Sequence, residues 1–146
     1  MDRDTALAAA LAHTATEIAR ADTKAGTLLA FHGLLVTALS LSTPTTGIAL
    51  ALTYTAGTAI ATSAMLGLLV ILPRLAPRGA EPPRGSFVRW ATLSTEQLAD
   101  EITEDHRTAH LGALSRIAMR KMVMLRYDVF TTFVAVFCTA AAITTR

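Results

Sequence analysis

AGTLLAFHGLLVTALSLSTPTTGIALALTYTAGTAIATSAMLGLLVIL, Ala25–Leu72, holds no Asp, Glu, Lys or Arg, and His32 is its one imidazole. The run is about twice the roughly 20 residues that a membrane-spanning helix needs. Near its middle stands STPTTG, Ser42–Gly47. Pro44 lacks an amide donor and disfavours helix at the residue before it, and Gly47 adds backbone freedom. Two spans joined by a tight turn therefore fit better than one, the first over 25–41 and the second over 47–72. A soluble buried hairpin is the alternative. Two adjacent apolar runs of this length with almost no ionisable group favour the membrane.

Composition agrees. Of 146 residues, 52% are apolar and only 16% are charged, against roughly 25% charged in soluble domains. The length fits a single membrane domain, 1–146. The net charge of +2 is too small to argue for nucleic acid as a partner. Cys138 is the only cysteine, so it makes no internal disulfide. The chain starts with about two dozen polar and mixed residues, and no secretory signal is expected there.

Ahead of the first span, residues 2–24 are rich in alanine and free of Gly and Pro, which predicts a helix running on into the span. Asp22 and Lys24 then mark the water boundary. Within the first span Gly26, Ala30 and Gly33 lie at close to helical spacing, and Gly57 with Ala61 and Gly67 repeats the theme in the second. Small residues of this kind let helix backbones approach in lipid. They predict helix packing, and a homo-oligomer, through Gly26, Gly33 and Gly57. His32 reads as a proton site or as a neutral imidazole bonded to a nearby backbone group or threonine. The second is favoured because no further ionisable group is expected inside the spans. Thr53, Thr55, Thr58, Thr62 and Ser63 either line a wet path or back-bond to their own helix.

Residues 73–93 carry four prolines, two glycines and four arginines, so no regular helix or strand is expected there. Phe87, Val88 and Trp90 suit a segment lying on the bilayer, or a plain connector. A helix over 94–128 is predicted next. Ser94 with Gln97 forms a capping box, and five acids from Glu96 to Asp105 load its first turns. Leu98, Ile102, Leu111, Leu114, Ile117 and Leu125 make an apolar face needing a partner, for which the N-terminal helix is nearest. His106 and His110, four apart, match a metal pair, but no third ligand stands near, and a solvated face is expected. Residues 129–145, VFTTFVAVFCTAAAITT, are uncharged and form a third span continuous with this helix, with Arg126 and Asp128 marking where it begins.

All basic residues but Arg146 lie in 1–24 and 73–128. The positive-inside rule therefore places these segments in the cytoplasm and the turn outside. The expected fold class is an all-α membrane protein, with three transmembrane helices (a hairpin plus one) and cytoplasmic N-terminal and central amphipathic helices. No phosphate-cradling loop, GxSxG or zinc signature is present, so neither an enzyme, a metal nor a cofactor is expected.

Ala19–Leu35, ARADTKAGTLLAFHGLL, resembles the start of the first membrane helix in the Pycsar transmembrane effector family. The likeness rests on Asp22, Lys24-Ala25 and Gly26 before the apolar run. FVRWATLSTEQLADEI and RKMVMLRYDVF are similar too, and Lys121 with Leu125-Arg126 matches a Lys-x-x-x-Leu-Arg pattern before the last span. The likeness runs from about residue 15 to 140. It implies a multi-pass protein of the bacterial inner membrane with an antiphage role. A partner cyclase makes a cyclic pyrimidine nucleotide, cUMP or cCMP, and the effector then impairs the host membrane. Some effectors of this system carry a separate cyclic-nucleotide-binding β-roll, for which this chain has no room. Sensing is then expected in the cytoplasmic helices, in a partner, or nowhere. Arg116, Arg120, Lys121 and Arg126, with Arg107, are the residues to hold the nucleotide's phosphate, Arg120 and Lys121 first among them, and Arg can do so bidentately. Juxtamembrane basic residues also serve simply to set topology or to bind anionic lipid. The competing classes are a small scaffold subunit for a soluble neighbour and a holin-like pore.

Overall fold

The computed structural model describes residues 2–72, 82 and 84–145. All its regular structure is helical: α1 Arg3–Ser40, α2 Gly47–Ile71, α3 Phe87–Trp90, α4 Thr95–Thr103 and α5 Arg107–Thr144. Residues 73–81 and 83 of the proline-rich linker lie outside the described residues, as do Met1 and Arg146.

The expected continuity holds on both sides. α1 passes from the alanine-rich segment into the apolar run without a break, and α5 does the same from the basic segment into the last one. The chain turns at Ser42–Thr46. Thr46 caps α2, its hydroxyl accepting from the Ala49 N–H at 3.1 Å. Two expectations are corrected. The linker contains a turn of helix, α3, begun where the Ser86 carbonyl accepts from the Trp90 N–H at 3.0 Å. The helix expected over 94–128 is divided at Glu104–His106. The capping box at Ser94 and Gln97 forms, but acids crowd the far end of α4, where the dipole disfavours them. Glu104 leaves helical geometry with ψ 136°. Asp105 then restarts the chain, accepting from the Arg107 N–H at 3.1 Å.

The chain forms two compact units, Met1–Ala19 with Pro73–Arg120, and Arg20–Leu72 with Lys121–Arg146. In the first, Arg107 joins α5 to α1 through Asp4 at 2.7 Å. The second is a three-helix bundle. Its buried positions are Ala21, Ala25, His32 and Leu35 on α1; Ala49, Ala56, Ile60, Ser63, Gly67 and Val70 on α2; and Lys121, Leu125, Asp128, Thr132, Ala135, Cys138, Thr139 and Ala142 on α5. Steps of three and four repeat every seven residues, the spacing of a left-handed coiled seam. Alanine and glycine along it bring the backbones close. Two apolar layers are evident, Ala21, Ala25, Val70 and Leu125 in one and Leu35, Ile60 and Ala135 in the other.

The bundle's outside is more apolar than its seam. Leu34, Leu41, Ile48, Phe130, Phe133 and Phe137 are all more than 60% exposed, while His32, Ser63, Lys121, Asp128, Thr132 and Thr139 are buried. Contiguous apolar surface on this scale marks a lipid or protein contact. α2 and α5 are each long and apolar enough to cross a membrane, and the distribution fits a membrane protein.

Candidate functional site

Asp128 was expected to mark the boundary of the last span. It is instead fully buried in the bundle, with no accessible surface. The reason lies in its partners. Ser63 on α2 donates to its carboxylate Oδ1, and the same hydroxyl lies 2.9 Å from the Asp128 carbonyl and 2.8 Å from Thr132 Oγ1. Thr132 back-bonds to the Asp128 carbonyl at 2.8 Å. Its hydroxyl also meets His32 Nε2 of α1 at 2.9 Å. His32 Nε2 and Asp128 Oδ1 are 4.0 Å apart. Three helices thus converge on one polar layer. Gly67 makes room for it, since a Cβ there would stand 3.1 Å from Asp128 Oδ2 and 3.3 Å from Leu29 Cγ.

His32 does meet a threonine, as its neutral reading expects. The premise behind that reading fails, because a second ionisable group shares the layer. A charge at the centre of a membrane helix costs roughly 2.5–3.5 kcal/mol on insertion scales, and such residues commonly mark proton or ion sites. Here Asp128 Oδ2 and His32 Nδ1 have no hydrogen-bond partner among the described residues. Ser63 departs from its neighbours too. Thr53, Thr55, Thr58 and Thr62 back-bond within α2 at 2.8–2.9 Å, whereas Ser63 crosses to α5.

Seven residues before Asp128, about 10 Å along the helix, Lys121 is also buried, and its ammonium pairs with Asp22 of α1. Two residues singled out in the sequence for different reasons, one for the water boundary and one for the ligand, are therefore partners. Lys24 is exposed. Arg116, Arg120 and Arg126 are exposed as well. Arg116 and Arg120 are one turn apart and share a face, while Lys121 and Arg126 point in other directions around the helix. Gly26 and Gly33 face open space, and Gly57 has only Leu39 within reach of an added Cβ, at 4.0 Å. The contacts within the bundle use Ala21, Ala25, Ala49 and Ala56 and, of the small residues marked in the sequence, Gly67.

The first unit holds a cleft of about 360 Å³ lined by Gly85, Trp90, Glu101, Glu104, His106, Arg107 and His110. Gly85 has φ +71°, which only glycine adopts freely, and its N–H reaches Glu101 Oε1 at 3.1 Å. Arg89 Nε lies 3.1 Å from the same oxygen. Burial pushes the Glu101 carboxyl up, but the Gly85 N–H and Arg89 outweigh it and hold it below the ordinary range. His106 Nε2 stands 3.0 Å from Glu104 and 3.9 Å from Glu101, so it faces acids rather than the expected solvated surface. No group of three or more His, Cys, Asp or Glu arranged to hold a metal occurs among the described residues.

Neither a curated protein nor a solved structure matches the chain. The family model described as the Pycsar effector protein domain, PycTM, matches residues 6–146. That match covers nearly the whole chain, including both units and every residue of the polar layer, and the chain belongs to the Pycsar effector family.

Proposed function

We propose that this chain is a membrane effector of bacterial antiphage defence, which responds to a cyclic pyrimidine nucleotide and impairs the inner membrane. Family membership over residues 6–146 is the observation that carries the reading. The bundle supports it physically. A protein that only anchors a partner needs no buried Asp, His and Lys along its helix seam, and such groups are costly to keep in lipid. The reading is of a non-catalytic effector.

In this reading three segments span the bilayer: the apolar part of α1, α2, and the last part of α5. The N-terminus is cytoplasmic, because the Lys and Arg residues gather in 1–24 and 73–128. Gly26 and Gly33 lie open on the bundle, with Gly57 half-buried beside Leu39, and all three suit close approach by a second copy, since one three-helix chain is too small to enclose a pore.

The nucleotide is read on α5. Arg116 and Arg120 offer two guanidinium groups on one face for its single phosphate, with Arg126 further along. Lys121 contributes through its pair with Asp22. α5 runs unbroken from Arg107 to Thr144, so an event at its basic part is carried into its apolar part. Calorimetric titration of the detergent-purified chain with cUMP and cCMP tests this. Binding by the wild type that weakens at least tenfold in Arg116→Ala/Arg120→Ala supports it. No binding at concentrations well above micromolar removes direct sensing, and leaves an effector that senses through a partner.

A further inference from the structure

The polar layer forms an unbroken path of hydrogen-bonding atoms. From α1 to α5 it runs His32 Nε2, Thr132 Oγ1 at 2.9 Å, Ser63 Oγ at 2.8 Å, then Asp128 Oδ1. Each hydroxyl carries one proton and accepts another, as the middle of a relay requires. The two atoms just past the ends, His32 Nδ1 and Asp128 Oδ2, are buried and have no partner among the described residues. We propose that His32, Thr132, Ser63 and Asp128 form a proton-transfer site inside the membrane bundle.

The step balances. With an imidazolium at His32 and a carboxylate at Asp128, the Nε2–H proton passes to Thr132 Oγ1. The Thr132 hydroxyl proton passes to Ser63 Oγ, and the Ser63 proton to Asp128 Oδ1. Three bonds to hydrogen break and three form. A neutral imidazole keeping its Nδ1–H and a neutral carboxylic acid remain, and the net charge of the site is zero before and after. Either arrangement therefore avoids a net buried charge, which lipid penalises. The Asp128 carbonyl, 2.8–2.9 Å from both hydroxyls, offers them an acceptor when the relay is idle.

The spacing selects a proton over a metal cation. Oxygen ligands sit about 2.0–2.6 Å from Mg²⁺ or Ca²⁺ and are held apart by the ion. The oxygens of this layer are already at hydrogen-bond distance from one another. Few other ionisable groups bear on the site. α2 brings no Asp, Glu, Lys, Arg or His to it. On α1 the nearest are Asp22 and Lys24, one paired and one exposed. On α5, Lys121 is held by Asp22, Arg126 is exposed, and the Cys138 thiol is buried further along.

The inference does not depend on nucleotide recognition, and its test uses no ligand. The whole chain in lipid bilayers is followed by infrared difference spectroscopy of the protonated carboxyl band and by nitrogen NMR of His32 across a pH series. In the wild type the Asp128 band, identified by its loss in Asp128→Asn, and the His32 signals change together as one coupled pair. Thr132→Val cuts the path and weakens the coupling to what direct attraction across the 4.0 Å between His32 and Asp128 leaves, while Thr132→Ser restores it in full. Ser63→Ala shifts the Asp128 band. Independent behaviour of His32 and Asp128 in the wild type, or coupling that survives Thr132→Val unchanged, overturns the proposal. Should Asp128→Asn not fold, the Thr132 pair of variants still decides it.

Discussion

At the scale of single residues, the bundle is specified by polar side chains more than by apolar ones. Asp22 and Lys121 show this best. Removing one partner of a buried ion pair costs about 3–5 kcal/mol, because the other charge is left unpaired. Asp22 is itself about one-third exposed, so Asp22→Ala should cost less than that, while Lys121→Ala leaves only the partly solvated acid. We predict that Asp22→Ala lowers thermal stability in detergent by more than Lys121→Ala does. The swap Asp22→Lys/Lys121→Asp should recover part of the loss. Negligible effects from both single changes would show that the pair does not hold the bundle. The sequence brought both residues to notice but could not join them. Their partnership spans 99 residues, and helical periodicity links only near neighbours. The same holds for His32 and Thr132, which are 100 residues apart. The burial of Asp128 was not legible for a related reason. An acid beside an uncharged run reads as its edge, and only the position of Ser63 on another helix shows that it is buried in the bundle.

At the scale of elements, the helices were legible and their joints less so. Alanine content, the Pro44 turn and the Ser94 capping box set α1, α2 and the start of α4, because each acts locally. The break before α5 was not foreseen, since five acids suit a helix start as well as they unsettle a helix end. Asp105 gives this joint a pH dependence. The Arg107 side chain, then its backbone N–H, hold the Asp105 carboxyl at about 2, below its ordinary 3.8. A carboxyl depressed in the folded state stabilises above its unfolded value and loses that contribution as pH falls through its folded value. The start of α5 should therefore be intact above pH 3.8 and loosen toward about 2. NMR of residues 107–109 will show this in the wild type and not in Asp105→Ala, whose joint is already loose. The glycine faces belong to the same scale. A Cβ added at Gly33 meets nothing within 4 Å, and one at Gly57 only the Leu39 side chain at 4.0 Å, so Gly33→Leu and Gly57→Leu should each leave the fold intact while reducing cross-linked oligomers in membranes. Unchanged yields from both would remove this interface.

At the scale of the whole molecule, composition already pointed to the membrane, and the structure adds where the polar groups go. Gly26, Gly33 and Gly57 are expected to pack copies of the chain together. The seam within the chain follows a seven-residue pattern of alanines and polar side chains, with Gly67 among them. That pattern is hard to see, because alanine is also abundant on the exposed faces. With three spans, reporter fusions at Ser42 and Arg146 should read outside and one at Gly85 inside. Cytoplasmic activity at Arg146 with Gly85 inside would remove the third span. The central claim is that a cyclic pyrimidine nucleotide makes this chain breach a membrane. Its most direct test is release of a trapped dye from lipid vesicles carrying the purified full chain, with and without cUMP or cCMP. The account predicts release on adding one of the two nucleotides, and its loss in Arg116→Ala/Arg120→Ala. Vesicles that stay sealed with either nucleotide well above micromolar, with the chain inserted and folded, would contradict it.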